Sequence, residues 1–447
     1  MRVLLPCATV LAGLAQIVHS ANPLATKDQR DLDILATALS QSDDFNALRG
    51  AARAQFILTL KKFGKDIDDD INSDIDIAID ELVFSSVQKA VNGDAAYPKV
   101  YWTDAPPREE NWFDISVPGG RYSYDNPDCI YRTIPISDKY EYVICGRRAE
   151  NGPTDVTFSL ISNPNSQGTV ASLMGDDLQL EDDGTFAITI SSKDSDAKNH
   201  IKSNWQAVQL FVRNNLANWT LDTPDELSVE VIRNDDVEPA SNKSIIAEAK
   251  KHLAESSFFY GFGALDLKTF LQPLNKLQKP TQSQLLGTLT TQASSFGHFD
   301  LADDEAMVVT ITSGKSTYWV LPVYSLGMVT HSPWENIVSF NSNQAKSNNN
   351  GTYTFVVSKE DAGVYNWINT TARSQGTIMG RWQGLPTEGD GTEGIEVYSS
   401  IVKLSDLPGV LPEETEYVDA QQRAEQVRER VQGYNRIHQQ SGDNRLY

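Results

Sequence analysis

Cysteine and histidine are scarce in this sequence: of its 447 residues, 3 are cysteine and 6 are histidine. None of them stands at an HxH, HExxH or CxxC spacing, so the common zinc sites are not indicated. The sequence also lacks the GxSxG elbow of serine hydrolases and the three-glycine fingerprint of dinucleotide-binding folds. We therefore expect no cofactor, and no single motif specifies a reaction.

Basic residues are few as well, because 38 lysines and arginines stand against 60 aspartates and glutamates, which gives a formal net charge of −22. A field of this sign repels phosphate backbones, so we expect no nucleic-acid partner. No stretch after residue 20 is apolar enough to cross a bilayer, so we also expect no membrane span. The hydrophobic fraction of 40% is that of an ordinary folded protein.

Residues 1–20 have the pattern of a secretory signal peptide. Arg2 supplies the positive end, Val3 to Val18 the apolar run, and Val18-His19-Ser20 a small-residue cleavage site. We expect a soluble, secreted protein, and an uncleaved anchor is the alternative. Four sequons would then be open to glycosylation, at Asn218, Asn242, Asn350 and Asn369.

Removal of the signal peptide would take Cys7 with it and leave Cys129 and Cys145. The segment between these two cysteines has the pattern of a β-hairpin that turns near Ser137. Symmetric placement around the turn would put the cysteines opposite each other across the ladder, within reach of a disulfide. We expect that bond in an oxidising compartment, and two buried free thiols are the alternative.

Apolar residues recur at helical spacing from Lys27 to Val91. The third helical segment of this region carries a run of aspartates that begins at Asp66. The first aspartates are spaced as in a calcium-binding loop, but Ile71 stands where that loop needs glycine and Ile77 where it needs glutamate. The pattern therefore favours an amphipathic helix whose aspartates face water.

Two later regions consist of short alternating runs separated by Gly, Pro, Asn and Asp, which indicate antiparallel strands. The sequence predicts a mostly β (α+β) fold: two related antiparallel β-sandwich-like units, an N-terminal helical layer, a helical connector and a C-terminal helix capped by Asp419. The expected boundaries are a signal peptide at 1–20, a helical region at 21–95, a first β unit at 96–236, a connector at 237–290, a second β unit at 291–408, and a C-terminal helix and tail at 409–447.

The two β regions share a diverged internal repeat. Asp183-Gly184-Thr185-Phe186 opens one alternating run, and Asn350-Gly351-Thr352-Tyr353 opens the other. Asn204-Trp205 follows the first run and Asn366-Trp367 follows the second. The repeat predicts two copies of one structural unit.

Residues 297–385 carry a recognisable series of short segments, namely Asp303 to Ala306, Tyr318-Trp319, Ser339 to Gln344, Gly351-Thr352, Asp361 to Trp367 and Arg381-Trp382. With these segments the C-terminal half resembles the domain-of-unknown-function family twelve-fourteen. A looser resemblance to longer bacterial-type members extends upstream through Asp125 to Asp128. Ala362 and Tyr365 stand where the family has proline, which leaves that loop less rigid. The resemblance implies a mostly β, two-unit architecture and no activity.

The Asn-Trp pairs offer flat apolar faces and amides, and Arg132, Arg213 and Arg381 offer positively charged guanidinium groups, all of which suit a sugar or a small carboxylate. Their recurrence in both copies favours the alternative that they serve the fold. Features that the copies do not share then become candidates, among them a metal site built from His298 with Asp300 and from His331 with Glu335, although no spacing supports a metal. The candidate ligand-binding residues are Arg132, His298, Asp300, Trp319, His331, Asn366, Trp367 and Arg381.

Two functions remain open at this point. The first is a secreted protein that binds a small molecule or glycan between the two β units. The second is a secreted enzyme, a hydrolase or isomerase that acts on a small metabolite or glycan. A deep pocket with converging arginine, histidine and carboxylate groups would favour the enzyme, and a flat exposed aromatic strip would favour a glycan binder.

Overall fold

The computed structural model describes residues 22–109, 111–233, 237–282, 289, 291–386 and 388–439. The expected signal peptide and Cys7 lie outside these residues. Five α-helices are present in the described part of the chain, and a π helix continues the fourth of them. They are α1 (Lys27–Ser40), α2 (Asn46–Lys62), α3 (Asp69–Val91), α4 (Asn242–Phe258) with the π helix (Phe259–Phe270), and α5 (Ala420–His438).

Capping side chains set where two of these helices begin. The Asp68 carboxylate accepts a hydrogen bond of 2.8 Å from the backbone N–H of Ile71, so the acidic segment opens α3 as an N-cap. Asp419 caps α5 in the same way, and the side chain of Gln422 bonds back to it. None of the helices described is long and apolar enough to cross a membrane.

Nineteen strands make up the β part of the described structure. In chain order they are β1 (Tyr101–Thr103), β2 (Cys129–Pro135), β3 (Glu141–Arg147), β4 (Asp155–Ile161), β5 (Thr169–Met174), β6 (Thr185–Ser191), β7 (His200–Lys202), β8 (Gln209–Asn215), β9 (Glu226–Ile232), β10 (Lys276–Leu277), β11 (Thr281–Gln282), β12 (Ala293–Asp300), β13 (Glu305–Ile311), β14 (Tyr318–Tyr324), β15 (Ser339–Asn341), β16 (Tyr353–Ser358), β17 (Trp367–Asn369), β18 (Gln375–Gln383) and β19 (Val397–Lys403).

The strands form two units with the same topology. The first unit pairs β1-β2-β8-β4-β5 in one sheet and β7-β6-β3-β9 in the other. The second unit pairs β10-β12-β18-β14-β15 in one sheet, with β11 beside β12, and β17-β16-β13-β19 in the other. Strands β12 to β19 thus repeat the order of β2 to β9, including the parallel pairs β6–β7 and β16–β17. The predicted mostly β fold of two related units is confirmed.

Each unit buries an apolar core between its two sheets. Ile144 and Leu210 belong to the core of the first unit, and Phe355 and Ile378 to that of the second. The N-terminal helices and the π helix share a third core with Tyr124, among other residues of the loops between the units. The helical layer therefore packs where the two β units meet.

The turns that open the repeat match closely. Asp183 accepts hydrogen bonds from the N–H and hydroxyl of Thr185, and Asn350 accepts the same two bonds from Thr352. In both turns the glycine that follows the acceptor has a left-handed backbone conformation, with φ of 79° in the first turn and 82° in the second. Each turn thus uses a side-chain acceptor and a glycine to begin a strand.

The expected pairing of Asn204 with Asn366 is wrong, because the counterpart of Asn366 is Asn199. Asn366 bonds the backbone of Lys346 through both ends of its amide, and Asn199 bonds Gln179 in the same way. Both asparagines directly precede the short parallel strand of their unit. Trp205 lies elsewhere, in a loop where 78% of its surface is exposed.

The expected disulfide between Cys129 and Cys145 is not formed. Cys129 is a buried free thiol. It begins β2 and pairs with Asn215 of β8, whereas Cys145 pairs with β6 and β9 in the opposite sheet. The segment around Ser137 crosses between sheets and does not close a hairpin. Packed sheets lie about 10 Å apart, beyond the reach of a disulfide.

Candidate functional site

The two β units meet through buried polar side chains. The Asp128 carboxylate of the first unit accepts hydrogen bonds from the Tyr318 hydroxyl at 2.5 Å and from the Asn341 amide at 2.8 Å, both in the second unit. The Asn215 amide donates to the Gln383 side chain at 2.6 Å. Since buried polar groups are stable only when paired, these bonds fix how the units dock.

A cavity of about 90 Å³ opens at this seam. Its lining comes from both units, from the loops before β2 and after β4, and from the π helix. The lining residues are Asp104, Tyr122, Ser123, Tyr124, Tyr131, Gln167, Arg213, Tyr260, Ala264, Lys268, Gln292, Phe296, Met379, Arg381 and Gln383. We call this space the seam cavity.

Arg213 and Arg381 bring two guanidinium groups to the seam cavity from equivalent strands, β8 and β18. Each side chain is only 5% exposed. Within the described residues neither forms a salt bridge to a carboxylate, in contrast to the half-buried Arg148, which holds Asp225 through two nitrogens. Two buried cations without a salt-bridge partner are unusual, because a buried charge is normally paired.

The contacts of Arg213 leave part of its guanidinium unused. One terminal nitrogen donates to the Gln167 side chain at 3.0 Å, and the guanidinium lies 4.3 Å from the centre of the Phe211 ring. The other terminal nitrogen, Nη1, is buried without a hydrogen-bond partner. Burial lowers the pKa of Arg213, and the charge of Arg381 adds to that effect.

Arg381 also forms only weak contacts with its neighbours. Its Nε lies 3.4 Å from the Met379 sulfur, and one terminal nitrogen lies 3.4 Å from the Tyr324 hydroxyl. The thioether sulfur is a weak acceptor, and the contact to the hydroxyl is long for a charged donor, which normally bonds a carboxylate or phosphate oxygen at about 2.7–2.9 Å. The two arginines therefore retain donor capacity toward the seam cavity.

Asp104 and Lys268 add two titratable groups to the lining. Asp104 accepts one hydrogen bond, from the backbone N–H of Tyr122 at 3.3 Å. Burial raises the pKa of Asp104 well above its usual range, and the nearby Asp125 adds to the increase. Burial lowers the pKa of Lys268 to about 8. A carboxyl that tends to be neutral thus shares the lining of the cavity with Arg213, Arg381 and Lys268.

The π helix supplies one wall of the seam cavity. Tyr260, Ala264 and Lys268 are spaced four apart and therefore lie on one face of the helix. The Tyr260 ring packs at 5.2 Å from that of Tyr122, another lining residue. π-Helical turns are rare in proteins as a whole, and those that occur are often found at functional sites.

Backbone strain concentrates around the same space. Asp104, Ser123, Tyr124 and Gln167 all have positive φ, between 44° and 65°. Ten described non-glycine residues have a positive φ. These four are among them, and all four line the seam cavity. Such conformations cost energy and cluster at ligand-binding and catalytic sites, so this strain points to function.

Of the candidate residues taken from the sequence, only Arg381 lines the seam cavity. Arg132 points to the opposite face of β2 from Tyr131 and donates to the Asp225 carbonyl and the Asn214 side chain. Trp319 is 1% exposed and packs in the core of the second unit, 4.7 Å from the Tyr353 ring.

Asn366 and Trp367 also lie away from the seam cavity. The Asn366 amide bonds the backbone of Lys346 and Thr354. The Trp367 indole donates to the Ser358 hydroxyl at 2.9 Å and lies beneath the Arg423 guanidinium. Both residues hold the turn and sheet edge of the second unit together.

The histidines are not brought together. The Nε2 of His298 lies 2.9 Å from the Gln272 carbonyl and its ring packs on Phe270, while Asp300 is exposed at the end of the same strand. His331 lies in a separate cleft beside α3. In the part of the chain that the structure describes, no three His, Cys, Asp or Glu side chains are grouped to hold a metal ion.

Most residues of the seam cavity could not be recognised from the sequence. Asp104 and Gln167 stand in loops without a motif, and their importance depends on backbone strain that only the fold reveals. Tyr260 and Lys268 could have been linked by their spacing along a helix. Arg213 was visible as the residue that recurs with Arg381 in the repeat.

Comparison with known proteins supports the fold and leaves the activity open. Residues 295–384 match the family described as "Protein of unknown function (DUF1214)", which confirms the resemblance in the C-terminal half. An uncharacterized protein from Burkholderia cenocepacia has a similar solved structure, with a TM-score of 0.69 and 20% identity over 83% of this chain and 100% of that chain. The VPA0106 protein from Vibrio parahaemolyticus gives a TM-score of 0.41 and 12% identity over 73% of this chain and 99% of that chain. No curated protein sequence matches.

Proposed function

We propose that the seam cavity binds a small carboxylate, or the carboxylate end of a larger molecule, and that the protein is an extracellular binding protein. One observation carries this proposal: Arg213 and Arg381 are both buried at the cavity, and neither forms a salt bridge to a carboxylate in the part of the chain that the structure describes. A bound carboxylate would supply the missing counter-ion and acceptors. Arginine suits this role because its planar fork bonds a carboxylate through two nitrogens.

The size of the seam cavity restricts the bound group. Its volume of about 90 Å³ is small beside the roughly 300–1,000 Å³ of typical small-molecule pockets. A carboxylate with one or two further heavy atoms fits this space. A larger ligand would place only its acidic end between the arginines.

Asp104 and Tyr131 would orient that group. The raised pKa of Asp104 favours its protonated form, which can donate a hydrogen bond to a ligand oxygen. The Tyr131 ring lies stacked on Phe211 at 5.4 Å and presents a fixed wall to the cavity. An acidic ligand would therefore contact hydrogen-bond donors, and the Asp104 carboxyl would not oppose it with a full negative charge.

An enzyme that acts on the same ligand is the second candidate, and the pair Asp104 and Lys268 favours it. Lys268, with a pKa of about 8, and the desolvated Asp104 carboxyl could move a proton to or from a bound substrate. An isomerase or hydrolase would use such a pair. The variant Asp104→Asn separates the two functions, because a binder would retain its affinity and an enzyme would bind but lose turnover.

Calorimetric titration with acetate, pyruvate and lactate tests the proposal, with acetamide as the uncharged control. We expect saturable binding of at least one carboxylate and none of acetamide. Arg213→Met and Arg381→Met should each abolish it, whereas Arg428→Met, at an exposed pair with Glu425, should not. Equal binding by wild type and both cavity variants would refute the proposal.

We also propose that the protein is secreted and carries N-linked glycans. The signal-like residues 1–20 motivate this, and the exposed side chains of Asn242 and Asn350 are accessible to glycosylation. Asn218 and Asn369 are less exposed. Expression in a eukaryotic secretory host, followed by glycosidase treatment, should give a mass loss that Asn350→Gln reduces. Retention of unmodified protein inside the cells would contradict the proposal.

A further inference from the structure

A second and larger cleft lies beside α3, away from the seam cavity. Its volume is about 520 Å³, within the range of small-molecule sites. One side is formed by α3, and the other by residues 325–336 and the turn at Thr371. It shares no lining residue with the seam cavity. We call it the α3 cleft.

The ionic side chains of the α3 cleft neutralise one another. Arg121 holds the Glu81 carboxylate through its backbone N–H at 2.8 Å and its Nε at 2.9 Å. Arg373 holds Asp74 through two nitrogens, at 2.9 and 3.0 Å. Asp80, at the rim, pairs with Arg49 outside the cleft. The cleft therefore differs from the seam cavity, since it offers no unpaired charge to an ionic ligand.

Two uncharged side chains of the α3 cleft remain free to bind. His331 has no hydrogen-bond partner among the described residues, and burial lowers the pKa of its ring to about 4, so the ring is neutral near pH 7. A neutral imidazole offers one donor and one acceptor. Trp334 is half-buried, with the Arg121 guanidinium 5.1 Å from the centre of its ring. That contact holds the indole in place.

Short polar side chains surround these two rings. The lining includes hydroxyls and an amide, from Ser325, Thr330, Ser332, Asn336 and Thr371. Thr371 has a positive φ of 54°, so strained backbone occurs here as well. Hydroxyl and amide groups bond the hydroxyls of a ligand, and an aromatic ring covers the apolar C–H face that a pyranose presents.

We propose that the α3 cleft binds a neutral sugar. The lining supplies what such a ligand needs: an aromatic face at Trp334, an imidazole at His331 without a partner among the described residues, several small hydrogen-bonding groups and ionic side chains that are already paired. A carboxylate ligand fits less well, because Arg121 and Arg373 are already paired. This site is independent of the carboxylate proposed for the seam cavity.

Binding can be measured by saturation-transfer NMR and calorimetry with glucose, galactose, mannose and N-acetylglucosamine, and with glucuronate as the charged probe. We expect at least one neutral sugar to bind at millimolar concentration and glucuronate to bind no more tightly. Trp334→Ala and His331→Ala should each weaken binding about tenfold or more, equivalent to about 1.4 kcal/mol. His331→Gln, which keeps a donor and an acceptor, should retain part of the affinity.

Trp205→Ala is the matched control, because Trp205 is exposed on a loop outside the cleft. It should leave the affinity unchanged, and thermal melts would show whether each variant is folded. The proposal fails if no neutral sugar of the panel binds, if glucuronate is strongly preferred, or if Trp334→Ala and Trp205→Ala have equal effects. Arg381→Met should not alter sugar binding, so the two sites can fail separately.

Discussion

Arg213 and Arg381 occupy the same position in the two β units. Arg213 lies opposite Thr157, the third residue of β4, and Arg381 lies opposite Val320, the third residue of β14. Two residues further along their strands, Asn215 and Gln383 bond each other across the seam. Equivalent strands thus meet near an approximate two-fold axis, which brings two copies of one arginine to a single cavity.

The first prediction is that Arg381→Met stabilises the ligand-free protein. Within the described residues the buried guanidinium forms no salt bridge to a carboxylate, and methionine fills similar space without a charge. We expect the free energy of unfolding to rise by about 1 kcal/mol or more, while carboxylate binding is lost. Urea denaturation without ligand measures the change.

Arg148→Met is the control for that prediction. Arg148 bonds Asp225 through two nitrogens at 2.9 and 3.0 Å, and the Asp225 carboxylate is fully buried. Loss of Arg148 leaves that charge unpaired, which costs about 3–5 kcal/mol. If Arg381→Met destabilised the protein as much as Arg148→Met, then Arg381 would be a structural residue.

The repeat could be detected from sequence, but its meaning could not. Recurrence of Arg213 and Arg381 in the sequence favoured a structural role, because two copies of a unit need the same residues to fold. The structure shows that both copies face one cavity, since the units pack through equivalent strands. Periodicity reports what each unit needs to fold, and it carries no information on how two units dock.

A second prediction concerns Tyr318, whose hydroxyl donates to the buried Asp128 carboxylate at 2.5 Å. Burial raises the pKa of Asp128 to about 6, and the bond from Tyr318 opposes that rise. Tyr318→Phe removes a donor from a buried charge across the seam, so we expect a loss of about 1–3 kcal/mol in unfolding free energy. The loss should grow between pH 5 and pH 8, where Asp128 ionises.

Tyr353→Phe is the matched control, because Tyr353 lies in the same unit and its hydroxyl has no hydrogen-bond partner in the described structure. It should change stability by less than about 0.5 kcal/mol. A similar small effect of Tyr318→Phe at pH 8 would show that the bond to Asp128 contributes nothing to docking of the units.

A third prediction compares the two glycines of the repeated turn. Gly184 and Gly351 have nearly the same φ, 79° and 82°, so alanine is strained at both and costs about 1–2 kcal/mol. A Cβ at Gly184 would lie 2.5 Å from the Arg148 carbonyl oxygen, whereas a Cβ at Gly351 meets nothing within 4 Å. Gly184→Ala should therefore lower the melting temperature more than Gly351→Ala, and equal shifts would contradict this.

The cysteines show where pattern reasoning fails. Symmetry about Ser137 suggested a hairpin, because two strands joined by a short turn most often pair. In this fold the short connection leads to the opposite sheet, where β3 pairs with β6 and β9, while β2 pairs with β1 and β8. Sequence periodicity identifies β2 and β3 as strands, but partner choice depends on non-local packing.

The fourth prediction concerns acid stability and His438. The ring is 4% exposed and stacks at 3.8 Å on Tyr434, and burial lowers its pKa to about 4, with Arg108 and Arg436 adding to that effect. In the unfolded chain the His438 ring takes up a proton near pH 6.5, whereas in the folded protein it does so only near pH 4. The folded state thus binds fewer protons in this window.

The neutral His438 ring therefore makes its full contribution to the free energy of unfolding above about pH 6.5. This contribution is lost as the pH falls toward 4, and the total loss is up to about 3 kcal/mol. His438→Phe keeps the stacking on Tyr434 and removes the titration. Its unfolding free energy should fall less steeply between pH 6.5 and pH 4.5 than that of wild type, by roughly 1 kcal/mol per pH unit. Parallel curves for wild type and His438→Phe would contradict the prediction, because they would mean that folding does not shift the pKa of His438.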